Sequence, residues 1–162
     1  MLTLWQWPSA HSFVVQDSKP TRMGGMMPTV LVIDDEDMVR LVLRQFLERQ
    51  SMTVIEAEDG EEGLRQLRTS AVDLVICDLI MPRADGIGTI MHIRRSMPAM
   101  KIIAISGGGR SHAMELLKVA EQMGADHVLS KPFTRDQLLA VVSRCLPDHP
   151  IVHPIVHPAR PR

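Results

Sequence analysis

Five polar side chains stand where short apolar runs stop, and their types point to one kind of chemistry. Asp34 and Asp35 close Thr29-Val-Leu-Val-Ile33, and Asp78 closes Leu74-Val-Ile-Cys77. Ser106 ends Lys101-Ile-Ile-Ala-Ile105, and Lys131 follows His127-Val-Leu-Ser130. Two adjacent carboxylates held at the mouth of an apolar sheet repel each other unless a positive charge intervenes. Hard oxygen ligands suit magnesium or manganese better than zinc, and magnesium works beside phosphate groups. Asp78 can then act as nucleophile and ligand together, with Lys131 as a point charge and Ser106 as a donor for phosphoryl oxygens.

These residues meet only if the runs lie side by side and point the same way. Short runs rich in Val and Ile, separated by helix-length segments, read as buried strands of a parallel sheet. Groups at the C-terminal ends of such strands converge on the edge where open α/β sheets bind ligands. The spacing predicts strands at 29–33, 53–57, 73–77, 102–105 and 126–129. After the first strand, Val39, Val42, Leu43 and Phe46 form a helical stripe over 38–49. Asp59-Gly-Glu-Glu62 and Thr134-Arg-Asp-Gln137 have the form of capping boxes opening further helices, the first with Leu64 and Leu67 inward. A loop with Pro82 and Asp85-Gly86 leads to a helix over 87–97 that ends at Pro98. Ala113, Leu116, Leu117, Ala120 and Met123 mark a fourth helix stopped by Gly124. Strict alternation with right-handed crossovers places helices on both faces of a five-stranded sheet.

Composition narrows the alternatives. A length of 162 residues with 45% apolar content suits one domain with modest tails, and a net charge of -1 offers no field for nucleic acid. Cys77 and Cys145 sit in apolar stretches and read as core thiols. No stretch reaches the roughly 20 apolar residues of a membrane span, and the N-terminus lacks the order of a secretory signal, so a cytoplasmic location is expected. The expected divisions are a disordered extension over 1–28 carrying Trp5 and Trp7, a folded unit over 29–147, and a disordered tail over 148–162. The tail holds the repeat Pro150-Ile-Val-His-Pro154-Ile-Val-His-Pro158, whose prolines forbid a helix. His149, His153 and His157 recur there without an acidic or thiol partner, which favours a tail over a metal site.

Asp34-Asp35-Glu36, Asp78-Leu-Ile-Met-Pro82 with Asp85-Gly86, Ile105-Ser106-Gly107, Gly124-Ala-Asp126 and Lys131-Pro132-Phe133 together resemble the receiver domains of two-component response regulators. The resemblance covers about residues 28 to 147 and is closest to the stand-alone, chemotaxis-regulator type. It implies a flavodoxin-like, doubly wound (βα)5 fold with strand order 2-1-3-4-5. It further implies that Asp78 is the phosphoacceptor, served by a histidine kinase or a histidine phosphotransfer protein. Asp35, Asp78 and the carbonyl of Ile80 would bind magnesium, with Asp34 acting through water. Ser106 and Lys131 would contact the phosphate, and the Lys131-Pro132 bond would be cis. Such a domain is no enzyme beyond its own phosphorylation and dephosphorylation, and its output is binding of a downstream protein, with no direct nucleic-acid or membrane contact.

Taken singly, each residue has a plainer role. Asp35 is a helix cap, Ser106 a turn residue and Lys131 a solvated charge; their weight comes from converging with Asp78. The glycines at 107–109 lack the spacing and lysine of a phosphate-cradling Walker loop. Met38, Met91, Met97 and Met123 read mostly as core filler, except that the helix after the first strand is apolar on more than one face and should expose Met38 and its neighbours. The family's usual aromatic three positions before the lysine is Val128 here. That departure keeps two roles open, a phospho-switch for a protein partner and a phosphorelay shuttle passing the group to a second histidine. An aspartyl-phosphate phosphatase would need a second acid two residues after the nucleophile, where Ile80 stands.

Overall fold

A computed structural model of the chain describes residues 27–82, 84–107 and 110–151. The sheet strands are β1 (Thr29–Ile33), β2 (Thr53–Ala57), β3 (Leu74–Asp78), β6 (Lys101–Ser106) and β7 (His127–Ser130). They pair in parallel in the order β2-β1-β3-β6-β7. The expected flavodoxin-like order is therefore present, with β6 and β7 as the fourth and fifth strands. A separate antiparallel pair, β4 (Ile80–Met81) and β5 (Ala84–Asp85), replaces the loop expected around Pro82. Two residues per strand are too few for any alternation to register in a sequence.

Successive strand residues point to opposite faces, and each face has its own core. Leu31, Ile33, Val75, Cys77, Ile102 and Ala104 lie in one cluster with Ile90, Ile93, Leu117 and Ala120. Those partners come from α3 (Gly86–Ser96) and α4 (Arg110–Met123), with Leu67 added from α2 (Gly60–Thr69). Val30, Val32, Leu74, Ile76, Ile103 and Ile105 form the other cluster with Leu43 and Leu47 of α1 (Asp37–Glu48) and Leu138 and Val142 of α5 (Arg135–Cys145). Each fully buried Val, Leu or Ile contributes roughly 1.5–3 kcal/mol, so β1, β3 and β6 anchor both layers at once.

The capping signals differ in outcome. Thr134 and Gln137 form the complete reciprocal box at the start of α5. At α2, Asp59 accepts from the Glu62 amide, but the Glu62 carboxylate reaches back to the amide of Glu58 instead of Asp59. Asp85 caps α3 through the Ile87 amide, and Gly124 ends α4 at φ +117°, a conformation that L side chains rarely adopt.

Two readings of apolar residues are corrected. Val42 lies at the surface, 41% exposed, and Leu47 takes the inward place beside Leu43. Met91 is exposed instead of filling the core, where Met52, Met81 and Met100 sit, while Met38 is exposed as expected. Both cysteines are buried free thiols. Past α5 the chain stays on the domain: His149 Nε2 lies 2.7 Å from the Gln50 carbonyl, and Ile151 packs against the second cluster. The expected N-terminal extension up to residue 26, with Trp5 and Trp7, falls outside the described residues, as do Gly108, Gly109 and the tail from 152 onward.

Candidate functional site

The register of the sheet sets the site. Ile33 pairs with Cys77, Asp78 with Ile105, and Ser106 with Ser130. Asp34 thus emerges level with Asp78, while Ser106 lies one step farther along the same edge and Lys131 one step beyond Ser106. Asp34, Asp78 and Ser106 are buried, and Asp35 is half-buried. Carboxylate oxygens of Asp34, Asp35 and Asp78 lie within 4.8 Å of one another. Every strand-end residue expected at the site is brought to this edge.

Each acid is held differently. Asp34 Oδ1 accepts from the Glu36 amide at 2.9 Å, and Oδ2 accepts from Lys131 Nζ at 2.8 Å. Both Asp34 oxygens are engaged by the chain itself, which suits a contact to an ion through water better than a direct one. Asp78 Oδ1 is buried without a hydrogen-bond partner, with Lys131 Nζ 3.5 Å away as an ion pair. An orphaned carboxylate oxygen beside two other acids fits a hard divalent cation, and a donor set of oxygens fits magnesium or manganese. Among the described residues, Ser106 Oγ has only a long contact to the Gly107 carbonyl, at 3.4 Å, and can turn to a ligand. The Lys131–Pro132 peptide is cis.

Electrostatics follow from burial among like charges. Burial pushes the Asp78 carboxyl up to about 6; the positive charge of Lys131 pulls against this, and Asp34 adds to it. Burial tends to lower the Lys131 ammonium, but its hydrogen bond to Asp34 and the charges of Asp78, Asp34 and Glu36 raise it above its ordinary value. The Cys77 thiol is driven up by burial and by the neighbouring acids, so it is an inert part of the core.

Gly86 was legible in the sequence only as part of a motif, and the structure gives it a job. A Cβ there would lie 2.2 Å from the Asp78 carbonyl oxygen and 2.6 Å from Leu79 Cα. Only glycine lets the start of α3 approach the backbone of Asp78 this closely. Gly107 is different: a Cβ would meet Lys131 side-chain carbons at ordinary contact distance, 3.6 Å or more.

The family model for the response regulator receiver domain matches residues 30–143. The chain belongs to the receiver domain family. The receiver is 32% identical over 121 residues to the chemotaxis protein CheY of Halobacterium salinarum, covering 75% of this chain and 98% of that protein. It is 31% identical to the alkaline phosphatase synthesis transcriptional regulatory protein PhoP of Bacillus subtilis and 37% identical to the response regulator GtcR of Aneurinibacillus migulanus, covering 75% and 67% of this chain. It spans less than half of either, 49% and 43%. The crystal structure of the NtrX receiver domain from Brucella abortus superposes with a TM-score of 0.69 at 28% identity, covering 73% of this chain and 98% of that one. No helix among the described residues is long and apolar enough to cross a membrane.

Proposed function

We propose that Asp78 accepts a phosphoryl group from a phosphohistidine of a sensor kinase or phosphotransfer protein, and that the phosphorylated receiver acts by binding another protein. The observation that carries this reading is the Asp78 Oδ1 atom, buried without a hydrogen-bond partner between two acids and a lysine. The folded unit proposed for this role is 29–147, with a cytoplasmic setting.

Magnesium, held by Asp35, Asp78 and the Ile80 carbonyl with Asp34 through water, would neutralise the acids and offset charge on the phosphoryl group in transfer. The Asp78 carboxylate attacks phosphorus, the phosphorus–nitrogen bond of the donor breaks, and its electron pair leaves with the imidazole. Lys131, already between Asp34 and Asp78, shifts its ammonium toward the new phosphoryl oxygens. Ser106 supplies a hydroxyl from the neighbouring strand end. On this reading the chain catalyses only its own modification and its reversal.

Val128 is half-buried on β7, packed against the cluster beside α3 and α4, and offers no aromatic ring to report the phosphorylated state. This keeps the relay shuttle as a second reading. The test is a phosphotransfer profile against the host's histidine kinases and phosphotransfer domains, run with wild type and Asp78→Asn. Capture of a partner only in the presence of beryllium fluoride supports the switch. Rapid return of label to a phosphotransfer histidine supports the shuttle, and acceptance of label by Asp78→Asn overturns both.

A further inference from the structure

Asp35 is a proposed direct ligand, yet among the described residues its own carboxylate makes no hydrogen bond that fixes it; what fixes it is the backbone on either side. After Asp35, the Glu36 amide donates to Asp34 Oδ1 at 2.9 Å. Before it, the Asp34 carbonyl accepts from Arg40 Nη1 at 2.6 Å. The Asp34 amide is in turn tied to the Ala57 carbonyl of β2 at 3.2 Å. Of the ties to main-chain atoms of this loop, Arg40 supplies the one made by a side chain from outside it, whereas Lys131 holds the Asp34 carboxylate.

The guanidinium is itself anchored. Its side chain is 12% exposed, it pairs with Asp37 in the first turn of α1, and its Nε lies 3.7 Å from Glu56 on β2. Glu56 is also paired with Arg44 at 2.7 Å. Arg40 therefore connects α1 and β2 to the peptide plane that aims Asp35. Rotation of that plane would swing the Asp35 carboxylate, and magnesium demands near-octahedral geometry. Partners that orient ligands typically carry 10–100-fold in metal affinity.

We propose that Arg40 is a positioning residue for the cation site, holding Asp35 in its ligating orientation through the Asp34 carbonyl. This rests on the magnesium reading above. Charge and positioning predict opposite signs. Removing a positive side chain near the acids would by charge alone draw a cation in more strongly; releasing the Asp34 carbonyl would weaken its binding.

The test is magnesium addition to the full chain, followed by amide shifts in nuclear magnetic resonance, for wild type, Arg40→Ala, Arg40→Lys and Arg44→Ala. Arg40→Ala is expected to raise the magnesium dissociation constant by roughly tenfold. Arg40→Lys should recover part of the loss, because an ammonium can still donate to the Asp34 carbonyl. Arg44→Ala removes the same charge from the same helix without touching Asp34, and should stay at the wild-type value or bind slightly tighter. Equal or tighter binding by Arg40→Ala, or an equal loss in Arg44→Ala, overturns the proposal. If metal-free melting shows Arg40→Ala unfolded, Arg40→Lys decides: a several-fold loss supports the proposal and wild-type affinity overturns it. Failure of the wild type itself to bind magnesium would sink the site reading, whereas wild-type binding with unchanged Arg40→Ala sinks this inference alone.

Discussion

At the scale of single residues, the account turns on a carboxylate kept where charge is costly. With its carboxyl raised to about 6 in the fold, Asp78 favours the native state while protonated and loses that contribution as pH rises through about 6. Asp78→Asn should therefore melt higher than wild type at pH 7.5 in chelator, by about 1–2 kcal/mol once solvent screening is allowed for. The difference should fade toward pH 4, where both side chains are neutral. Thermal melts across that range check it. Ile80, 41% exposed and two residues past Asp78, has no group to orient water against an acyl phosphate. Ile80→Asn should shorten the phosphoryl lifetime several-fold, and decay of label after removal of donor measures it. The strand-end acids, serine and lysine were legible in the sequence because a parallel sheet sends every strand end to one edge. Gly86 was legible only as part of a motif and Arg40 not at all, since their importance lies in close approaches to main-chain carbonyls that residue type alone does not announce.

Among the elements, α1 combines a buried face with an unusual outer one. Leu43 and Leu47 pack inward, while Met38, Leu41 and Val42 are 68%, 44% and 41% exposed. This helix follows directly on the acidic loop, and on the function proposed above its outer apolar side is the surface we propose for docking the helices of a phosphodonor. Met38→Asp should slow transfer from a cognate kinase by roughly tenfold, a hot-spot loss of about 1–2 kcal/mol, and leave labelling by acetyl phosphate unchanged. Parallel transfer assays with the two donors check this. Periodicity showed that α1 is a helix and that its apolar surface is too wide for one face. It assigned Val42 to the wrong side, because a stripe wider than the core contact leaves the boundary to tertiary packing.

For the molecule as a whole, sheet order and register convert five separate sequence signals into one site. The ladders joining β1, β3, β6 and β7 place acids, hydroxyl and ammonium in adjacent steps. Two-sided burial leaves this register little freedom, since a slip of one residue would turn Leu31, Ile33, Val75 and Cys77 toward the wrong layer. The alternation of elements and the layer arrangement were therefore readable from patterning. The segment after α5 was not: His149 and Ile151 lie at the start of a proline-broken repeat without helical or strand periodicity, yet they close onto the turn after α1 and onto the core. The most direct measurement is to label the full chain with radioactive acetyl phosphate, with magnesium and with chelator, and to map the modified residue. Label confined to Asp78 and dependent on magnesium is the predicted result. Label on another residue, or equal labelling in chelator, would contradict the account.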